Sequence, residues 1–166
     1  PNRFAFNLGE LYRRKGEPLK MIEYYLSSID ADPGRLPTIQ TLLARYLAPS
    51  DFTELQTQLY TRIQTNENPD YVELLAWSFI QRKDFKSALR QYKALDKRLD
   101  ENGQRIFNLA SDAADARDYD TAITAYDYIV AEKGQLNPFF FDAKREGMEC
   151  RRKKITEGFD YTDRKS

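Results

Sequence analysis

The chain has 166 residues, 41% of them hydrophobic, and its 26 basic and 26 acidic side chains leave no formal net charge. That balance argues against a general attraction to nucleic acid or to an anionic membrane, since both need a basic excess or stripe. The sequence has no histidine and a single cysteine, Cys150, which removes the commonest general base and metal ligand and any intrachain disulfide or thiolate cluster.

Taken in chain order, the apolar residues fall three or four apart, as a helix facing a core requires. The first helix carries Leu8, Gly9 and Tyr12. It ends at the turn Lys15-Gly16-Glu17-Pro18, and a second follows with Met21 and Tyr25. Asp32-Pro33-Gly34 separates this pair from the stripe Ile39, Leu42, Leu43 and Tyr46. After the turn Ala48-Pro49-Ser50 comes Asp51-Phe52 with Leu55 and Leu59. Asn68-Pro69 places an amide at an N-cap and proline at the first helical position, opening a helix with Val72, Leu75, Ala76 and Phe79. Asp84-Phe85 starts the next, with Ala88, Tyr92 and Leu95. A helix around Leu109, Ala110 and Ala113 leads to Asp118-Tyr119, Ala122 and Tyr126, and Lys133-Gly134 closes it. Asp51, Asp84 and Asp118 are expected to cap the helices that follow them. No run alternates with period two, so an all-helical chain is expected.

These elements repeat at 34, 33 and 34 residues. Leu8, Leu42, Leu75 and Leu109 form one column, Gly9, Leu43, Ala76 and Ala110 the next, and Met21, Leu55, Ala88 and Ala122 another. Each unit has one apolar face that it cannot bury alone, so neighbouring pairs must stack, and the small residues let backbones approach.

The columns resemble the tetratricopeptide repeat. Its signature is carried by Leu8-Gly9, Tyr12, Tyr25 and Asp32-Pro33 in the first unit and by Leu75-Ala76, Phe79, Ala88, Tyr92 and Leu95 in the third. The resemblance covers residues 2 to about 136. It implies an all-α, right-handed superhelical solenoid of antiparallel helix pairs, with repeats at about 2–35, 36–68, 69–102 and 103–136 and a terminal helix at about 137–157, in a single domain spanning 1–166. Met21 and Leu55 stand where the family usually has alanine, and Ala113 where it usually has tyrosine. An irregular N-terminal end is therefore expected.

In the resembled family the first helix of each unit lines a concave groove. Projected onto this sequence, the inward positions are Arg3, Phe6, Asn7, Glu10 and Arg13, then Gln40 with Thr41 and Ala44, then Glu73, Trp77 and Gln81, and finally Phe107, Asn108 and Ser111. Trp77 stands off the main packing stripe, where an amphipathic ring serves either as an anchor for a partner or as filler between first helices. The lysine and asparagine clamp of chaperone-binding members is absent from the matching positions. What the resemblance implies is a non-enzymatic scaffold, without cofactor or metal, that holds a protein or peptide segment in its groove. An internal spacer of a longer repeat protein, or a groove for a small ligand or glycan, are the alternatives.

The remaining features read as structural. Asn137 to about Ile155 reads as another first helix, with Phe140, Phe141, Ala143, Gly147, Met148 and Cys150 on its apolar face, and the pair breaks off at Gly158-Phe159-Asp160-Tyr161. Arg151-Arg152-Lys153-Lys154 is expected in the last turn of that helix, where cations suit the dipole. Asp112, Asp115, Asp118 and Asp120 lack the spacing and glycine of a calcium loop and read as a solvated face with a cap. Cys150 is expected to be a small buried side chain. The chain opens on Pro1 and holds no run long enough to cross a membrane, so it reads as a fragment or a processed form; a monomer or part of a larger chain is expected. Its style is similar to that of large repeat proteins of bacterial cell envelopes, which points to the periplasm, the cytoplasm being the alternative.

Overall fold

The computed structural model of the protein describes residues 2–66 and 68–165, with side chains described for 3–66 and 68–158. Among the described residues the elements are α-helices and short 3-10 turns, with no strand. The helices are α1 (Ala5–Lys15), α2 (Pro18–Ala31), α3 (Leu36–Tyr46), α4 (Phe52–Thr65), α5 (Pro69–Gln81), α6 (Phe85–Leu99), α7 (Gln104–Asp115), α8 (Tyr119–Lys133) and α9 (Phe140–Lys165). The second helices of the four pairs start at Pro18, Phe52, Phe85 and Tyr119, which reproduces the spacing of the sequence repeat. The chain is thus an all-α repeat of helix pairs. Packing divides it into two units, Pro1–Arg82 and Lys83–Ser166.

In the first unit α1 packs on α2, α2 on α4, and α4 and α3 on α5. Its core is built from Met21, Ile22, Tyr25, Leu26 and Ile29 of α2, Ile39 and Leu43 of α3, Leu55 and Leu59 of α4, and Tyr71, Leu74 and Leu75 of α5. The close approach of α1 to α2 depends on Gly9, because the Tyr25 ring lies where a side chain at that position would begin. Arg62 ties three helices together. Its guanidinium donates to the Glu23 carbonyl and to Ser27 on α2, and to the Tyr71 hydroxyl on α5. Tyr71 in turn donates to Asp30, and burial pushes its phenol up to about 12.

In the second unit α6 packs on α7 and α8, α7 on α8, and α8 on α9. Small residues set the spacing here. Ala110, Ala113, Ala122, Ala125 and Ala143 are fully buried beside Ile106, Leu109, Tyr126 and Ile129, so the helices approach with few long side chains between them. A buried ion pair joins α6 to α8, with Lys133 Nζ 2.6 Å from Asp96 Oδ1 and the Tyr128 hydroxyl donating to Asp96 Oδ2 at 2.6 Å.

Several expectations are corrected. Leu75 and Leu109 are buried, but Leu8 and Leu42 are only half-buried, because Leu36, Ile39 and Leu43 take the core-facing side of α3 and leave Leu42 at its edge. Asp84 and Asp118 cap as expected, accepting from the Ser87 and Thr121 backbone amides. Asp51 does not. The segment Pro49–Asp51 forms a 3-10 turn that puts Asp51 in helical backbone, so its carboxylate faces back to the Ala48 amide.

The terminal helix also differs from its expected span. α9 passes through Gly158 to Lys165, since one interior glycine costs a helix only about 1 kcal/mol; the Phe159, Asp160 and Tyr161 side chains lie outside the described residues, as does Pro1. The cations at 151–154 are therefore mid-helix. Arg151 is held by Asp127 and Lys154 by Asp120, both on α8, and Arg152 by Glu149. Cys150 is buried on the packing face, and that burial pushes its thiol up.

Candidate functional site

Five of the projected groove residues, Gln40, Thr41, Ala44, Trp77 and Gln81, come together in the first unit. Gln40 on α3 and Trp77 and Gln81 on α5 line an open cleft of about 570 Å3, completed by Thr41, Ala44 and Arg45. Spacing explains the grouping: 40, 41, 44 and 45 are one turn apart on α3, as are 77 and 81 on α5. Trp77 is half-buried. Its ring rests against Phe52, with centroids 6.2 Å apart, and against the core beneath, and part of it lines the cleft. The indole is thus held by the core and partly exposed in a polar-rimmed hollow. Phe52 was legible only as a repeat aromatic, and nothing in the sequence marks it as the support of Trp77.

The α1 residues are engaged differently. Glu10 accepts two hydrogen bonds from Arg13, at 2.7 and 3.3 Å, and one from the buried Tyr25 hydroxyl. The Arg13 hydrogen bond holds the Glu10 carboxyl below its usual range. Burial, followed by the bond to Glu10, pushes the Tyr25 phenol well up. The guanidinium of Arg13 also lies 4.4 Å from the Tyr46 ring centroid. Glu10 and Arg13 therefore form an internal brace between α1, α2 and α3. Phe6 sits between the Tyr25 ring, 5.8 Å away, and the Arg35 guanidinium, 4.4 Å away. Arg3 and Asn7 are exposed, and Glu73 is half-buried on α5.

In the second unit Phe107 packs between Phe139, at 5.2 Å, and Tyr126, at 5.5 Å. The contact with Phe139 joins α7 to the start of the terminal helix. Asn108 is exposed and accepts from Gln104, and Ser111 is half-buried. A cation-lined groove between α6 and α8, with Lys86, Arg90 and Lys93 on one stripe, was missed in the sequence, although the spacing of these residues was there to be read. Among the described residues no group of three or more metal-ligating side chains gathers to hold a metal ion, and no helix is long and apolar enough to cross a membrane.

No family model matches the chain, and no curated protein matches it. Among solved structures, the crystal structure of MamA protein is similar in fold with a TM-score of 0.42 and 18% identity, over 93% of this chain and 86% of that one.

Proposed function

We propose that the protein is a tetratricopeptide-type interaction scaffold, and that the α3–α5 cleft takes a segment of a protein partner with Trp77 as its anchor. The observation that carries this reading is the state of Trp77: backed by Phe52 and partly exposed in a cleft whose rim offers Gln40, Thr41 and Gln81. A rigid aromatic ring already fixed on one side loses little entropy on binding, and amides and a hydroxyl beside it orient a peptide backbone. Arg3, Asn7 and Glu73 are further candidate contacts within the first unit, and Asn108 and Ser111 are candidates within the second unit taken by itself. The braced Glu10 and Arg13 contribute shape rather than free charge.

The test uses a photo-crosslinking residue at Gln40 or Gln81 of the full chain, with a matched probe at exposed Arg14 as control. Partner peptides that crosslink at both cleft positions and not at Arg14, and that Trp77→Phe weakens while circular dichroism is unchanged, support the reading. Equal crosslinking at all three positions rejects it.

A second reading is favoured by one feature. Phe141, Met148 and Ile155 recur at seven-residue spacing on α9 and are 66%, 64% and 73% exposed. An apolar stripe of that kind suits an internal spacer on which further repeats stack. Burial of this stripe in a longer form of the protein, with Trp77 fluorescence unchanged by any partner, is the outcome that reading requires.

A further inference from the structure

Away from the Trp77 cleft, a groove of about 530 Å3 runs between α6 and α8 within the second unit. One wall carries Lys86, Arg90 and Lys93, placed at i, i+4 and i+7 so that they share one stripe of α6. Leu89 lies between them and is almost fully buried, giving the groove an apolar floor. Among the described residues none of the three cations has a carboxylate partner; Lys93 alone has a ring contact, 5.3 Å from the Tyr128 centroid.

The carboxylates around the groove are already committed. Asp118 caps α8 through the Thr121 amide, and Asp120 is held by Lys154 of α9. Asp84, at the head of α6, accepts from the Ser87 amide and hydroxyl, and Asp96, further along, pairs with Lys133. Every nearby acid thus has its partner, while three like charges repel one another along one helix face. In a chain with no net charge such a stripe costs stability unless something anionic relieves it.

We propose that the α6–α8 groove binds an acidic protein segment through Lys86, Arg90 and Lys93. The stripe is about 10 Å long at the rise of a helix, which an extended chain covers in roughly three residues. Two or three carboxylates within four residues match it, with an apolar side chain among them reaching the Leu89 floor. Nucleic acid fits less well. Among the described residues no aromatic ring lines the groove to stack on a base, and the Leu89 floor suits an apolar side chain rather than a sugar-phosphate backbone.

The test is fluorescence anisotropy of the full chain with a labelled hexaglutamate peptide at about 50 mM salt, where exposed charge pairs are least screened. Hexaglutamine and a ten-nucleotide oligothymidine are the comparison probes. The variant Lys86→Gln/Arg90→Gln/Lys93→Gln is set against Arg14→Gln/Lys20→Gln/Lys153→Gln, which removes the same charge from cations elsewhere, and circular dichroism is recorded for both. Hexaglutamate binding that falls about tenfold or more in the groove variant, as three exposed charge contacts predict, and less than about twofold in the control, is the expected result. If the groove triple unfolds, Arg90→Gln alone is read, with a loss of about twofold expected. Equal losses in groove and control variants, no binding of hexaglutamate, equal binding of hexaglutamine, or tighter binding of oligothymidine each overturn the proposal.

Discussion

Tyr25 occupies the space that a side chain on Gly9 would need: its Cε1 atom lies 2.7 Å from where a β-carbon would stand. Replacing an interior helical glycine by alanine ordinarily stabilises a helix by about 1 kcal/mol. Here the ring is fully buried and cannot swing away, so overpacking at about 1–3 kcal/mol wins. Gly9→Ala is expected to lower the urea midpoint. Gly147→Ala is its counterpart, because the nearest atom to a β-carbon there is Tyr126 Cβ at an ordinary 3.4 Å. That variant should be neutral or up to about 1 kcal/mol more stable, and equal losses in both would contradict the close approach of α1 to α2.

The reach and the limit of the sequence both show in this first pair. Gly9 and Tyr25 are repeat positions, and the columns marked Gly9 as a small residue that lets backbones approach, but that the Tyr25 ring fills the space beside it is seen only in the structure. The starts of α2, α4, α6 and α8 were readable in the same way, since periodicity and caps are local signals. What escaped depends on side-chain direction or on backbone that carries no marker. Glu10 and Arg13 project onto a groove by register, yet they are turned to each other and to Tyr25. The turns before α6 and α8 use left-handed backbone at Lys83 and Arg117, just as the turn before α2 uses it at Gly16; without glycine there was nothing to announce it. The cleft residues Gln40, Trp77 and Gln81 were individually named, but their meeting needed α3 and α5 in place.

Glu10 makes the fold of the first unit sensitive to acid. Its carboxyl is held below the usual range by the Arg13 hydrogen bond. A group with a lower pKa in the folded than in the unfolded chain contributes stability above the unfolded value, about 4.3 for glutamate, and loses it as pH falls through the folded one. Urea midpoints measured from pH 7 down to pH 3 should therefore fall below about pH 4.3. In Glu10→Gln the stability at pH 7 is lower and this part of the slope shallower. An unchanged slope would mean that the brace does not exist in solution.

The three aspartates that open second helices are not equivalent. Asp84 and Asp118 each accept from a backbone amide of the first turn, and Asp84 also from the Ser87 hydroxyl. Their replacement by alanine should cost about 1 kcal/mol each. Asp51 accepts from Ala48 outside α4 at 3.3 Å, so Asp51→Ala should cost about half as much or less. Thermal melts of the three single variants measure the order, and a loss at Asp51 as large as at Asp84 would refute the distinction.

The pair Lys133 and Asp96 is the place where the second unit is most vulnerable to a single change. Lys133 is 10% exposed and Asp96 4%, and Asp96 also accepts from Tyr128. Two charges taken out of water recover their desolvation cost chiefly from each other, with Tyr128 beside Asp96 and Asp100 3.8 Å from Lys133 adding to it, so removing one leaves the other buried and undercompensated, at about 3–5 kcal/mol. Lys133→Met should therefore be among the most destabilising substitutions in the chain. Lys133→Met with Asp96→Asn removes both charges and keeps an acceptor for the Tyr128 hydroxyl, and should recover a large part of that loss. The double-mutant cycle, read by chemical denaturation, gives the coupling directly. Additive losses would mean that Asp96 finds water once Lys133 is gone, and that the contact of α6 with α8 is looser than the packing around it implies.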